Sequence, residues 1–447
     1  RALKPGTIKI KITYPNAPWI WWWSVTIEES MEGLHFIKNR HYERYAQVDD
    51  NDAPGYANNG GIIEIWPLSG ENHQRWNLTH VGNGYYKIAS QASGYVITVP
   101  AGKETNDNVD LVLKPYTGSN NQKWRITLTS HGSYKIKAKS SESYTAKDLV
   151  MDMETNILYT DGLNVRQRDY MDNTSYRDEW FCIRMLPTNG DELVYSPFAW
   201  AGLPSANNNC YAYALNNQVR EPSGNIIWFK QQPGEYYNNH RGSSSPIPQG
   251  YQSPPSVIVN SVQQDFNKYN SVNGTSLSFT PIGRYETCPA GTYKVALVVS
   301  ASDYHWYRQD ADGLWSHKRG TTPVKRTDES GELIIDPMMA DRDDYSIFVG
   351  FFAVKPWNNM YDSSKGIALM SEDTISATIN DTQLSSIQIG MTYDEVTKTL
   401  NSKGIDIGSG TIIQQYRSCG GVLYTFEYAS TEVGFIVSKI IIGGEEK

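Results

Sequence analysis

The chain has 447 residues, more than a single core usually serves, so two to four domains are expected. Charged residues make up 20% and aromatic residues 12%, with 30 tyrosines and 13 tryptophans, which favours a mostly β protein over a helical one. The net charge of -8 argues against general nucleic-acid binding, and no apolar run reaches transmembrane length. Four scattered cysteines without a CxxC pair exclude a disulfide scaffold and a zinc site, so neither metal nor cofactor is expected.

The first 29 residues form an N-terminal extension with its own pattern. Residues 7–13 alternate between polar and apolar side chains, which predicts a half-buried strand. The tryptophan-rich segment 19–23 is either an aromatic plug between domains or an exposed patch for carbohydrate or membrane contact.

Three repeats of about fifty residues organise the chain from residue 30 to residue 186. Each repeat has a glycine before a short apolar strand and closes with a tryptophan. The glycines are Gly33, Gly84 and Gly132, and the tryptophans are Trp76, Trp124 and Trp180. Short strands bounded by turn residues, repeated three times at this spacing, predict three units that share one all-β core.

The Gln-x-Trp sequences at Trp76 and Trp124 make residues 30–186 resemble the ricin-type β-trefoil lectins. In that family an aspartate, an aromatic platform and a polar residue before the Gln-x-Trp hold a sugar. The resemblance therefore implies a glycan or cell-surface polysaccharide as partner. A trefoil that has lost some or all of its sugar sites is the alternative.

The first repeat matches the sugar-binding pattern best. Trp66 stands at the platform and Asn72 at the polar position, beside Gln74 of the Gln-x-Trp. Gln47 replaces the family's aspartate, for which Asp49 is a substitute. The other repeats depart further. The second has Thr98 and Lys114 at the aspartate and aromatic positions, and the third has Asp152 without an aromatic partner.

After residue 187 the pattern changes to short helices followed by strands. Asn209 is a good N-cap residue, so Cys210 falls on the first turn of a predicted helix, where the helix dipole favours a thiolate. A second helix is predicted over residues 256–269, and strands over 292–300, 304–309, 314–318 and 347–354. Two of these strands carry His305 and His317, which suggests a nucleophile with a base.

This order of a cysteine helix followed by histidine-bearing strands resembles the papain-like fold in its NlpC and CHAP forms, over residues 195–375. The resemblance implies an α+β domain with an antiparallel sheet that cleaves a peptide or protein substrate. Cys210 would be the nucleophile, His305 the general base and His317 the residue that orients His305. Asn209 or Asn208, with the Cys210 backbone N–H, would stabilise an oxyanion.

The loop between the two histidines decides whether they can act together. A two-residue turn at Asp312-Gly313 would place His305 and His317 on opposite faces of the hairpin. A three-residue loop with Gly313 in the left-handed conformation would place them on one face. In the first case Asp328 or Asp336 would have to orient His305.

The remaining cysteines offer one rival nucleophile. Cys182 lies in an apolar strand and fits a buried, inert thiol. Cys288 precedes a turn, and the sequence does not decide between it and Cys210. Cys419 is expected in a loop.

Residues 380–447 form a separate small α+β module in this interpretation. Thr392 and Glu395 make a capping box for a helix whose apolar positions are Val396 and Leu400. Strands are predicted over 411–416, 422–428 and 433–442. The pattern resembles the SmpA/BLIP-like module, which implies protein binding without catalytic residues.

Taken together, these patterns predict a multidomain, mostly β protein. The first functional hypothesis is a secreted or envelope-associated bacterial cysteine hydrolase that a carbohydrate-binding trefoil delivers to glycans. The alternative is a non-catalytic, adhesin-like protein that binds glycan or protein and whose papain-like domain is inactive.

Overall fold

The structure is a computed structural model that describes most of the chain in separate ranges. These are residues 6–13, 20–27, 31–48, 59–154, 160–171, 175–201, 208–218, 232–234, 255–301, 303–355, 381–400, 405–406, 412–417, 423–431, 434–442 and 445–446. The chain divides into two compact units, Arg1–Met185 and Leu186–Lys447. No helix within the described ranges has the length and apolar character needed to span a membrane.

The extension contributes one antiparallel strand pair. Strand β1 (Gly6–Thr13) pairs with β2 (Ile20–Ile27), with Thr13 opposite Ile20. The strand predicted at residues 7–13 is therefore confirmed. The side chains of segment 19–23, for which two roles were open, lie outside the described structure.

Thirteen strands build the repeat region, and six of them form a barrel. The barrel strands are β3 (Gly33–Asn39), β6 (Trp76–His80), β7 (Tyr86–Ser90), β11 (Trp124–Leu128), β12 (Tyr134–Ala138) and β15 (Trp180–Arg184). The others are β4 (Tyr45–Val48), β5 (Ile63–Trp66), β8 (Val96–Thr98), β9 (Val109–Asp110), β10 (Val112–Lys114), β13 (Leu149–Met153) and β14 (Leu163–Asp169). The ring closes because β6 pairs with both β3 and β7.

Three equivalent hydrogen bonds tie the barrel to the outer strands. Each buried indole N–H donates to a backbone carbonyl at 2.8–2.9 Å: Trp76 to Ala46, Trp124 to Ile97, and Trp180 to Met151. The third tryptophan thus plays the same part as the first two, although its local sequence lacks the Gln-x-Trp pattern. The prediction of three units around one core is confirmed, and we name them lobe 1 (residues 33–80), lobe 2 (84–128) and lobe 3 (132–184).

The second unit contains a five-stranded antiparallel sheet with two helices on one face. Its strands are β16 (Phe279–Ile282), β17 (Tyr293–Val299), β18 (Tyr304–Gln309), β19 (Trp315–His317) and β20 (Ile347–Val354), in the order β16-β20-β17-β18-β19. The helices are α1 (Cys210–Ala214) and α2 (Pro255–Asn273). Ile258, Val262 and Phe266 on α2 are fully buried, as their spacing predicted.

The end of the chain has its own core and a simple strand order. Helices α3 (Asp381–Ser385) and α4 (Tyr393–Leu400) precede strands β21 (Ile405–Asp406), β22 (Ile412–Arg417), β23 (Leu423–Thr431), β24 (Gly434–Ile442) and β25 (Glu445–Glu446), which pair in sequence order. The predicted capping box is present: Thr392 N donates to Glu395 Oε2 at 2.8 Å, and Glu395 N donates to Thr392 Oγ1 at 3.3 Å. Val396 and Leu400 are buried, as predicted.

Candidate functional site

Lobe 1 presents an exposed aromatic ring in a fixed position. Trp66 ends β5, remains 36% exposed, and donates its indole N–H to Glu64 Oε1 at 2.6 Å. Asn72, the predicted polar partner, is exposed at the start of a short 3₁₀ helix, Asn72–Gln74. An aromatic platform held by a buried carboxylate can stack against the apolar face of a sugar without losing side-chain freedom on binding.

Buried side chains that are hydrogen-bonded to one another hold Glu64 in place. Gln74 donates to Gln47 Oε1 at 3.0 Å and to the Pro67 carbonyl at 2.7 Å, and it accepts from Ser69 N at 2.7 Å. Gln47 in turn donates to Glu64 Oε1 at 3.0 Å. The Gln74 side chain is fully buried and both of its amide hydrogens are already donated, so its predicted contact with a sugar stays a prediction. In the structure, Gln74 positions the residues below the platform.

Lobe 2 keeps this support but lacks the platform. Gln122 donates to Thr98 Oγ1 at 3.2 Å and to the Pro115 carbonyl at 2.8 Å, and it accepts from Thr117 N at 2.8 Å. Lys114 occupies the position before Pro115 that Trp66 occupies before Pro67. Lobe 1 is therefore the lobe whose matching position carries an aromatic ring.

Lobe 3 places Asp152 in an environment that disfavours its charge. The carboxylate is 4% exposed on β13, and burial raises its pKa to about 6, against the opposing effects of a hydrogen bond from Met153 N and the Arg168 charge. Arg168 Nε lies 3.9 Å from Asp152 Oδ2. This buried group is a poor direct ligand for a sugar. Asp49, the other predicted carboxylate, lies outside the described residues.

In the second unit, Cys210 begins α1 as predicted. Asn209 is the N-cap, and its side-chain oxygen accepts from Ala212 N at 3.1 Å. Lys318 donates to the Asn208 carbonyl and so ties the loop before the helix to the histidine hairpin. Cys210 and Asn209 are both fully buried. The cap uses the Asn209 oxygen, and the predicted oxyanion role of its amide nitrogen stays a prediction.

The hairpin adopts the three-residue loop, so the histidines share a face. Asp310 N donates to the Leu314 carbonyl at 2.8 Å, and Gly313 has a φ of 84° in the left-handed region. His317 stands opposite Tyr307 on β18, two residues from His305. His305 Nε2 and His317 Nδ1 are 2.7 Å apart. This is the register that the hypothesis for His317 required.

The hydrogen bonds around the two rings define which nitrogens carry protons. His317 Nε2 lies 3.0 Å from the Thr327 carbonyl, which can only accept, so this nitrogen is protonated. Burial lowers the pKa of His317 to about 3 and holds that of His305 well below its usual value, so both rings are neutral near pH 7. His317 Nδ1 therefore accepts from His305 Nε2–H, and His305 Nδ1 is left as the basic nitrogen.

Cys210 and His305 each have their own set of packing neighbours. Cys210 packs in the apolar cluster that contains Tyr304 and Trp306. The His305 ring packs against Tyr307 and Tyr345, with ring centroids 5.0 and 5.4 Å away.

Tyr345 is a neighbour of both groups. Burial and the Asp303 carboxylate raise the pKa of Tyr345 well above its usual value, and Cys210 is near enough to add to this effect. The Tyr345 hydroxyl donates to Asp303 Oδ2 at 2.7 Å. The sequence did not indicate Tyr345, because a tyrosine in a loop 28 residues after His317 carries no periodic signal.

The alternative residues for orienting His305 have other structural roles. Asp328 accepts hydrogen bonds from Ser330 and other residues of its own turn. Asp336 binds Arg284, whose Nε donates to Asp336 Oδ2 at 2.6 Å. His317 is in contact with the His305 ring through the hydrogen bond at Nε2.

The other described cysteines are held in their thiol form. Burial raises the pKa of Cys288 to about 11 and that of Cys182 to about 12. Cys288 is a weak rival nucleophile for this reason. Cys419 is outside the described residues, and within them no group of three or more His, Cys, Asp or Glu side chains is placed to hold a metal ion.

A buried ionic network holds α1 against the hairpin. Arg308 donates to the Tyr213 hydroxyl at 2.7 Å and to Asp310 Oδ1 at 3.2 Å. Ser316 donates to the same oxygen at 3.0 Å, and Arg326 binds Asp310 Oδ2 at 3.2 Å. The sequence does carry a signal for this network, because Arg308 lies in a predicted strand and Asp310 follows in its turn.

Comparison with protein families identifies the first unit. The family model for the ricin-type β-trefoil lectin domain matches twice, at residues 19–114 and 72–168. A 63-residue segment is 56% identical to Insoluble matrix shell protein 1 of Ruditapes philippinarum, covering 14% of this chain and 43% of that protein. A 61-residue segment is 33% identical to the Clotting factor G alpha subunit of Tachypleus tridentatus, covering 14% of this chain and 8% of that protein. The chain spans less than half the length of either relative.

Solved structures also resemble this region. The designed three-fold symmetric protein ThreeFoil is 26% identical, with 34% of this chain and all of that chain covered and a TM-score of 0.30. The Macrolepiota procera ricin B-like lectin in complex with lactose is 16% identical, with 35% and 99% covered and a TM-score of 0.28. From the family model, the first unit contains a ricin B-like lectin domain, a carbohydrate-binding type of domain.

Proposed function

We propose that this protein, which carries a ricin B-like lectin domain, binds a glycan through lobe 1. The observation that supports this site is Trp66, an exposed ring whose indole N–H is fixed by the buried Glu64. Asn72 supplies a polar group at the same lobe. Lobes 2 and 3 contribute less, because their matching positions hold Lys114 and Arg168.

The test is binding of the full chain to an array of neutral glycans that includes lactose and chitotriose. Trp66→Ala should lower the affinity for the bound glycan at least tenfold, since stacking on an aromatic ring supplies much of such a contact. Phe198→Ala is the control, because Phe198 is an exposed ring, 74% accessible, in the second unit. Equal loss in both variants, or none in Trp66→Ala, would reject lobe 1 as the site.

A cysteine hydrolase in the second unit is the second proposed function. It is supported by the hydrogen bond between His305 Nε2 and His317 Nδ1, which makes His305 Nδ1 the unprotonated, basic nitrogen of a neutral ring. Cys210 at the helix start would be the nucleophile, Asn209 an oxyanion donor, and a peptide or protein the substrate. The full burial of Cys210 weighs against this function. The papain-like, NlpC- or CHAP-type assignment belongs to the same proposal.

Iodoacetamide labelling near neutral pH separates an active from an inactive domain. An activated Cys210 should react faster than Cys288 in the same molecule, and His305→Gln should abolish this difference. His317→Gln should slow labelling less, because it removes only the orienting partner. If Cys210 reacts no faster than Cys288, the second unit has no activated thiol and the alternative of a binding protein holds.

For residues 380–447 we propose a protein-binding role, as the SmpA/BLIP-like resemblance suggests. The capped helix α4 and the antiparallel strands β21–β25 are compatible with that module. We also propose that the protein acts outside the cytoplasm, secreted or at a bacterial cell envelope, where surface polysaccharides occur. Fractionation of the native source, followed by detection of the full chain, tests the location.

A further inference from the structure

One outer face of the barrel carries a row of lysines that the lobe 1 site does not use. Tyr86 on β7 stands opposite Trp124 on β11, so Lys87 and Lys123 are neighbours across these strands. Lys139 follows β12, and its backbone N–H donates to the Lys123 carbonyl at 2.8 Å. Since neighbouring strands lie about 5 Å apart, the three lysines fall within about 10 Å of one another at the backbone.

A second row of cations runs beside the first. Arg125 on β11 stands directly opposite Lys137 on β12, and Lys135 lies two residues along the same strand. These three are partly neutralised: Arg125 binds Glu142 at 2.8 Å, while Lys135 and Lys137 bind Asp148 at 2.8 and 2.6 Å. The six cations outnumber the two carboxylates that pair with them among the described residues.

The lysines of the first row form no ion pair within the described part of the chain, and two of them lie over aromatic rings. Lys87 Nζ is 5.1 Å from the centroid of Tyr116, and Lys139 Nζ is 4.8 Å from that of Tyr85. All three side chains are partly accessible to solvent. This face is locally positive although the protein has a net charge of -8, so it would attract an anionic partner.

We propose that this face, which we call the basic face (Lys87, Lys123, Arg125, Lys135, Lys137 and Lys139), binds an anionic polysaccharide bearing sulfate or carboxylate groups. The row of lysines along a pleated strip suits an extended chain with separated charges, and the exposed Tyr116 ring offers a surface for a sugar ring. Glu142 and Asp148 at the second row disfavour a partner of higher charge density such as a nucleic acid.

The test measures binding of the full chain to dextran sulfate, to alginate and to uncharged dextran over a range of salt concentrations. The native protein should bind at least one anionic polymer and not the uncharged one. The triple variant Lys87→Gln, Lys123→Gln, Lys139→Gln should bind at least tenfold more weakly and show a smaller salt dependence, by analogy with the loss of lysine–phosphate contacts. Binding to dextran sulfate alone would assign sulfate as the ligand group, and binding to both polymers either group.

A matched triple variant controls for net charge. Lys268→Gln, Lys355→Gln and Lys398→Gln remove three charges from the second unit and should leave binding within twofold. Trp66→Ala should also leave it unchanged, which separates the basic face from the glycan site of lobe 1. The proposal is overturned if both triple variants lose affinity equally, if neither does, or if single-stranded DNA of matched charge binds as tightly as the polysaccharide. Each single lysine variant is measured as well, so that misfolding of the triple variant does not decide the outcome.

Discussion

Replacing Asp152 by asparagine should stabilise lobe 3 at neutral pH. The carboxylate is buried on β13, and its ion-pair partner Arg168 lies 3.9 Å away, too far for a hydrogen bond. Asparagine has the same shape, keeps an oxygen that can accept from Met153 N, and carries no charge to bury. Burial of the negative charge of Asp152 therefore destabilises the folded state.

The size of the effect follows from the pKa of Asp152, which burial raises from 3.8 to about 6. A shift of about two pH units corresponds to about 3 kcal/mol of free energy of unfolding. Because the folded state holds its proton more tightly, no penalty exists below pH 3.8. The penalty grows as the pH rises to about 6 and is constant above it. The stabilisation by Asp152→Asn should follow the same course.

Hydrogen exchange measures the change in the local free energy of unfolding. A local measurement is needed because a single free energy of unfolding is not defined for a protein of several domains. Peptides covering residues 149–153 would be followed by mass spectrometry in the full chain at pH values on both sides of 6. Asp110→Asn is the control, because this partly exposed carboxylate pairs with Arg166 at the surface and should matter by less than about 1 kcal/mol. A stabilisation by Asp152→Asn that is absent at pH 8, or equal at pH 4 and pH 8, would refute the assignment of a buried charge.

Three further perturbations test other parts of the structure. Burial lowers the pKa of His35 from 6.5 to about 4, so the neutral buried ring costs no stability above pH 6.5 and destabilises the folded trefoil increasingly as the pH falls towards 4. His35→Gln should therefore lessen acid unfolding of the trefoil, measured by tryptophan fluorescence. Asp310→Ala leaves the buried Arg308 without its carboxylate partner and should lower the free energy of opening of β18, measured by hydrogen exchange, by about 3–5 kcal/mol. Unchanged exchange of β18 would contradict this prediction. Thr392→Ala removes the cap bonded to Glu395 and should cost about 1 kcal/mol in exchange of α4, with no effect elsewhere.

Local sequence signals predicted the elements of this protein well. The spacing of Ile258, Val262 and Phe266 indicated the buried face of α2, and the capping box located the start of α4. These features depend on neighbours within a few residues. Strand pairing across the trefoil was accessible only through the repeat, because repetition tells which distant segments are equivalent.

The functional sites were less predictable because they depend on contacts between distant residues. The sequence left two registers open for His305 and His317, and only the observed loop at Gly313 decides between them. The sequence did not decide whether Cys210 is buried, and in the structure it is. The sequence could not show that Gln74 supports Gln47 and the Pro67 carbonyl, because a buried amide and a ligand-binding amide occupy the same motif.

The closed ring of barrel strands bears on how the protein behaves when crowded on a surface. A strand at the border of a sheet leaves N–H and C=O groups that a second molecule can join, which is a common route to aggregation. Because β6 pairs on both sides, the barrel has no such border. The sheet β16-β20-β17-β18-β19 ends at β16 and at β19, and at β16 Pro281 lacks an amide hydrogen and weakens any added strand. The barrel and this end of the sheet therefore offer a second molecule no continuous row of N–H and C=O groups.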